Sequence, residues 1–275
     1  MFMERLKVNL FGNSFKHNIV NGLISSTPFK APENIEFVTD NTGEFNLLVD
    51  EGIFEIDNIL NNKLNFGWLL ESYSIQPKLI EYFKDDDGQK TNKFFKIYTH
   101  NLDLINLDKK FSFLHPIGYW LNENIELEKT KLVSMITSNK RHTSQAKIRY
   151  NFAKKFYKKI DIFGNGFHPI KYKEVGLLPY FYSIVIENDI TPDYFSEKIL
   201  DCFAAKTIPI YLGCKNIGKY FDINGIIPIE SFNLTQLNSE FYYKNYESVK
   251  NNFELVKKYN PPENIIFSDY SKLSI

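Results

Sequence analysis

Short, unbroken apolar runs recur along the chain, each cut off by a polar or glycine-containing turn. Leu6–Phe11, Ile35–Thr39, Phe45–Val49, Leu64–Leu70 and Phe94–Tyr98 have the length and the β-branched or aromatic content of buried strands. The intervening stretches, such as Phe54–Asn62, read as short helices or loops. The segment from Phe111 to Leu127 sustains no periodicity and reads as a connection, with Pro116-Ile117-Gly118 as a turn. The alternation then resumes. Lys131–Ile136 is a strand ending in Thr137-Ser138-Asn139, and Thr143–Tyr157 is a helix with Ile148, Phe152 and Phe156 on one face. Ile160–Phe163 is a short strand closed by Gly164-Asn165-Gly166.

The densest pattern follows. Tyr182–Ile186 is a buried strand that stops at Glu187-Asn188-Asp189. A polar turn leads into a helix whose apolar stripe is Ile199, Leu200, Phe203 and Ala204, and Ile208–Leu212 is the next strand, stopped by Gly213. This is a βαβ unit with its polar residues gathered where the first strand ends and the helix begins. In open α/β folds that edge is where ligands bind. Gly225–Ile229 reads as one more strand, residues 234–259 as a charged helix, and the remainder as a polar tail. The predicted class is α/β, in two successive halves of residues 1–125 and 126–275.

Charge changes the picture by exclusion. Lys and Arg number 33 against 33 Asp and Glu, so the formal net charge is zero, which argues against a nucleic-acid partner. Aromatics reach 16% and read first as core mass. Two cysteines, Cys202 and Cys214, provide neither a disulfide framework nor a metal cluster. The sequence shows no signal-peptide pattern and no apolar span of about 20 residues, so a cytoplasmic protein without a transmembrane segment is expected.

Candidate chemistry sits at strand ends. Glu71 follows a strongly apolar strand, where a carboxylate is either an exposed terminus or a general base. Arg149 lies in the helix after Ser138-Asn139, and its planar guanidinium suits a phosphate. The other basic residues of that helix read as a solvated face. Glu187, Asn188, Asp193, Tyr194, Ser196, Glu197 and Lys198 crowd a helix N-terminus. That combination suits a nucleotide sugar, although capping by Thr191 or Asp193 explains part of it. The Asp85-Asp86-Asp87-Gly88 run reads as a solvated loop rather than a metal-binding Asp-x-Asp. Neither G-x-x-x-x-G-K-[ST] nor G-x-G-x-x-G occurs.

The run Glu187-Asn188, then Asp193-Tyr194-Phe195-Ser196-Glu197-Lys198, then Ala204-Ala205 and Ile208-Pro209-Ile210 resembles the signature of the α-1,3/4-fucosyltransferases, glycosyltransferase family ten. Leu69-Leu70-Glu71-Ser72, Tyr98-Thr99, Pro116-Ile117-Gly118, the strand ending at Ser138-Asn139 and Arg149-Tyr150 are similar to further landmarks of that family. The resemblance implies a GT-B architecture of two Rossmann-like domains facing across a cleft, acceptor side first and donor side second. It implies inverting transfer of fucose from GDP-fucose to an acceptor glycan hydroxyl, in an α-1,3-type linkage, with Glu71 as general base. Arg149 and Lys198 would neutralise the leaving diphosphate. Asn188, Tyr194, Ser196 and Glu197, with Ser138 and Asn139, would hold the donor. No cofactor is required on this reading and a divalent metal is optional, since Arg and Lys supply the charge.

The sequence departs from the family pattern at Tyr73, Thr99-His100, Asp189, Ser196 and Ala205. The membrane anchor of animal members has no counterpart, which leaves peripheral membrane association open. The alternatives are the same fold with another nucleotide sugar such as GDP-mannose, or a non-catalytic nucleotide-sugar or glycan-binding protein.

Overall fold

The computed structural model describes residues 5–273 apart from 61, 86, 116, 117, 123, 124, 126 and 260. Asp86 of the acidic run and Pro116-Ile117 of the predicted turn therefore lie outside the described residues. The chain forms two units, Met1–Gly118 with Asn260–Ile275, and Tyr119–Tyr259.

The first unit begins with β1 (Leu6–Phe11), the hairpin β2 (Ile19–Val20) and β3 (Leu23–Ile24), β4 (Ile35–Val38) and β5 (Phe45–Val49). A 3-10 helix, Asp50–Asn58, overlaps the predicted Phe54–Asn62 stretch but begins four residues earlier. It leads to β6 (Asn65–Leu69), α1 (Pro77–Lys84), β7 (Lys96–Thr99), α2 (Leu102–Leu107) and β8 (Phe111–Phe113). The strands form one parallel sheet in the order β4-β1-β5-β6-β7-β8. β8 corrects the reading of Phe111–Leu127 as connection throughout: three residues are too few to show a period, and the strand is specified by its pairing with β7.

Both faces of this sheet are covered, so its strands read as nearly continuous apolar runs. Asparagines are the exception. Asn9, Asn46 and Asn65 stand in register on β1, β5 and β6, and their amides bond in sequence at 2.8 Å each. A buried row of amides is tolerated because each satisfies the next.

The second unit repeats the plan. β9 (Lys131–Ile136), α3 (Ser144–Phe156), β10 (Asp161–Phe163), α4 (Glu174–Leu177), β11 (Tyr180–Ile186), α5 (Glu197–Ala204), β12 (Ile208–Leu212) and β13 (Ile227–Pro228) follow in order. They build a parallel sheet ordered β10-β9-β11-β12-β13. In both sheets the chain leaves the first strand toward one side and returns across it. The strand order therefore reverses between β1 and β5, and again between β9 and β11, which is where an open α/β sheet opens a crevice.

The predicted helix over 234–259 is two helices, α6 (Ser239–Lys244) and α7 (Tyr246–Val256), divided at Asn245. Asn238 caps α6 by accepting from the Phe241 N–H at 2.8 Å. The predicted tail is a helix, α8 (Glu263–Ser271), and it belongs to the first unit rather than the second. Its anchors explain why. Glu263 accepts from the Ser26 N–H and hydroxyl at 2.7 and 2.8 Å, and Asp269 accepts from the Tyr98 hydroxyl at 2.9 Å. Ile266 is fully buried, and Tyr270 stacks on Phe45. The structure thus divides the chain at 118/119 and again at 259/260, where the sequence pattern drew a single boundary at 125/126.

Candidate active site

The crevice edge of the second unit is assembled from the ends of β9 and β11 and the start of α5. β11 is buried along its whole length and continues into Glu187, which is 0% exposed. A carboxylate there needs partners, and it has them. The Ser196 N–H donates to its Oε1 at 3.1 Å and the Ser196 hydroxyl donates to its Oε2 at 2.6 Å. Lys198 Nζ lies 3.7 Å from Oε2. Burial pushes the Glu187 carboxyl upward, against the pull of Lys198 and the Ser196 donors.

Ser196 is the N-cap of α5, its Oγ accepting from the Lys198 N–H. The cap is therefore not Thr191 or Asp193. Asp193 instead takes a left-handed backbone, φ 58, and its Oδ1 accepts from Asn216, Lys219 and Tyr220. Lys198 also reaches Ser196 Oγ at 3.0 Å and Glu197 Oε1 at 3.3 Å. Lys173 approaches Glu197 Oε1 at 3.6 Å and Asp201 Oδ2 at 2.6 Å. Burial acts to raise the Glu197 carboxyl, but the two lysines outweigh it and hold it down to about 2. Asp201, sealed deeper, is raised by burial to about 6 despite Lys173.

Arg149 reaches this edge from α3. Of Ile148, Phe152 and Phe156, which the sequence placed on one face, Phe152 and Phe156 pack against the core, whereas Ile148 is 43% exposed and the most deeply buried residues are Ala146 and Ala153, a small rotation of the packed face. That rotation puts Arg149 on the inner side, one turn after Ala146 and one turn before Ala153. Its Nη1 donates to Ile186 O at 2.8 Å and to Asn188 Oδ1 at 3.0 Å. Burial lowers its pKa, while Glu187, Glu197 and Tyr194 draw it back up.

Of the sequence-predicted donor residues, Ser196, Glu197 and Lys198 form one network with Glu187, and Arg149 bonds Asn188 separately. Tyr194 is 2% exposed and acts on Arg149 from within the fold. Ser138 is half-buried and Asn139 exposed at the end of β9. Their loop is braced by Gly164 and Gly166, both at positive φ, and a Cβ on Gly164 would come within 1.9 Å of Thr137 O.

Glu187 carried a sequence signal, an acid ending an apolar strand, but its place as the hub was not read. Asp201 carried a fainter one, an acid inside the apolar stripe of α5. Lys173 gave none.

In the first unit, Glu71 is half-buried two residues past the end of β6, and its N–H donates to Asp50 Oδ1 at 3.1 Å. A larger concavity of the second unit, about 460 Å³, opens among Tyr119, Lys129, Lys206 and Tyr243. It lies at the opposite, amino-terminal ends of the strands and holds no residue of the Glu187–Lys198 network. Among the described residues no group of three His, Cys, Asp or Glu is arranged to hold a metal, and no helix is long and apolar enough to cross a membrane.

Two parallel, Rossmann-like α/β sheets are the architecture of the GT-B fold. Residues 126–267 match the model of glycosyltransferase family 10 (fucosyltransferase), C-terminal part, and the chain belongs to that family. The crystal structure of an α1,3-fucosyltransferase superposes with a TM-score of 0.51 at 16% identity, covering 94% of this chain and 81% of that one. Structures of α1,3-fucosyltransferase with GDP and with GDP-fucose give TM-scores of 0.48 and 0.45, at 14% and 13% identity, each covering 94% of this chain and 82% of the other. No curated protein matches the sequence.

Proposed function

We propose that this glycosyltransferase moves fucose from GDP-fucose to a hydroxyl of an acceptor glycan, with inversion and in an α-1,3-type linkage. The acceptor oxygen bonds to the anomeric carbon as the bond from that carbon to the β-phosphate oxygen breaks. Glu71 takes the acceptor proton, and GDP leaves with the bonding electrons. The reading is carried by two cations within the family-matched segment: Lys198 at the start of α5, its Nζ 3.0 Å from Ser196 Oγ and 3.7 Å from Glu187 Oε2, and Arg149, which at the end of β11 donates to Ile186 O and Asn188 Oδ1.

Preset cations are worth most where charge develops in the transition state, here on the departing diphosphate. Because side chains supply that charge, transfer should persist in EDTA. Glu197, held ionised by two lysines, accepts from sugar or ribose hydroxyls, and Asn188 orients Arg149.

Glu71→Ala tests the base. General-base catalysis contributes about 10²–10⁴ in rate, so the variant should lose turnover in that range while still binding GDP. Full turnover by Glu71→Ala would remove Glu71 from the role. A thermal-shift series with GDP-fucose, GDP-mannose and UDP-sugars separates the donors, since a ligand at 100 times its Kd adds about 2.7 kcal/mol.

A further inference from the structure

The same geometric rule that marks Glu187 in the second unit marks an acid in the first. Asp50 directly follows β5, the strand beside the order reversal of its own sheet, and it is 0% exposed. Both of its carboxylate oxygens are engaged. Oδ1 accepts from the Leu70 N–H at 2.8 Å and from the Glu71 N–H at 3.1 Å, and Oδ2 accepts from the Ser14 hydroxyl at 2.8 Å. One side chain therefore ties together the ends of β1, β5 and β6. Its backbone is left-handed, φ 46, a conformation that costs a non-glycine residue energy and persists where the surroundings impose it. Burial also works against the charge, raising the carboxyl to about 6. A strained backbone and a buried acid, both directed at two consecutive N–H groups, fix the chain where Glu71 emerges.

We propose that Asp50 is the positioning residue for Glu71, clamping the Leu70–Glu71 backbone so that the base carboxylate is presented to the acceptor hydroxyl in one orientation. This rests on the reading of Glu71 as the base. Asp50 touches no reacting atom. Its contribution is to turnover, because misplacing a catalytic group by about 1 Å costs on the order of 10²-fold in rate.

Asp50→Gly deletes the carboxylate while accepting the positive φ without strain, so it is the variant suited to folding. It should lower kcat by about 10- to 100-fold and leave the KM for the sugar nucleotide unchanged. Asp50→Asn should recover most of that turnover. Its amide oxygen still accepts from both N–H groups, and the Ser14 hydroxyl can reverse to accept from its NH₂. In a Glu71→Ala background Asp50→Gly should cost nothing further, because the group it positions is gone.

An unchanged kcat in Asp50→Gly overturns the proposal. So does an equal additional loss in the Glu71→Ala background, or failure of Asp50→Asn to recover turnover. If Glu71→Ala loses turnover by the expected factor of about 10²–10⁴ and keeps a measurable residual rate, those results speak against Asp50 alone. If Glu71→Ala is fully active, the base assignment and the positioning role fall together.

Discussion

On the proposed mechanism Lys198 serves two functions, one structural and one catalytic, that a pair of substitutions can separate. Its Nζ stands 3.0 Å from Ser196 Oγ, 3.3 Å from Glu197 Oε1 and 3.7 Å from Glu187 Oε2. Lys198→Met keeps the aliphatic stem and removes the charge. For stability, this leaves the fully buried Glu187 with the Ser196 donors but without its cation. Breaking a buried ion pair costs about 3–5 kcal/mol. The lysine side chain is 26% exposed, its contact to Glu187 is long, and the Ser196 hydrogen bonds remain. A loss of about 2 kcal/mol is therefore expected, or roughly 4–8 °C in Tm for a chain of this size.

For catalysis, removing one preset donor to the leaving diphosphate should cost about 10²–10³ in kcat. Adding Glu187→Gln removes the orphaned charge while retaining an acceptor and a donor for Ser196. The double variant should regain stability to within about 1 kcal/mol of the parent but remain as inactive as Lys198→Met. Urea unfolding and GDP release, measured on the same preparations, read the two quantities separately. Recovery of turnover in the double variant, or turnover within tenfold of the parent in Lys198→Met, would refute the reasoning.

Two further outcomes concern stability. A carboxyl whose folded pKa is raised contributes stability that is present below its unfolded pKa and lost as pH rises through the folded value. Asp50, raised from 3.8 to about 6, therefore costs the folded state roughly 3 kcal/mol between pH 4 and pH 6. The difference in unfolding free energy between parent and Asp50→Asn should change by that order across the window; a pH-independent difference would contradict it. Gly164→Ala places a Cβ 1.9 Å from Thr137 O at φ 112, so the loop bracing Ser138-Asn139 must shift. A loss of at least about 2 kcal/mol in urea unfolding is expected, and an unchanged midpoint would show that the loop yields at little cost.

The legible parts of the fold were those fixed locally. β1, β5, β6, β9, β11 and β12 are apolar runs long enough to declare themselves, and the acids and lysine at residues 187–198 stand where such a run stops. What stayed hidden depends on distant partners. Nothing in the polar surroundings of Lys173 indicates that it meets Asp201 twenty-eight residues later. α8 is too short to show a period, and Glu263, Ile266 and Asp269 gain meaning only from Ser26, the core of the first unit and Tyr98. In α3, Phe152 and Phe156 pack as the pattern suggests but Ile148 does not, because Ile outranks Ala in any hydrophobic pattern, while Ala146 and Ala153 are the residues buried deepest on the side from which Arg149 bonds β11. Asp50 was overlooked for a related reason. Its carboxylate serves backbone N–H groups, which no side-chain motif reveals.

The most direct measurement is mass-spectrometric analysis of products formed from GDP-fucose on an array of acceptor glycans, with the parent protein and Lys198→Met side by side. A deoxyhexose added to at least one glycan, with stoichiometric GDP, absent at the same protein concentration of Lys198→Met, is the predicted result. Transfer of a different sugar from another nucleotide donor, or equal product from the parent and Lys198→Met, would contradict the account.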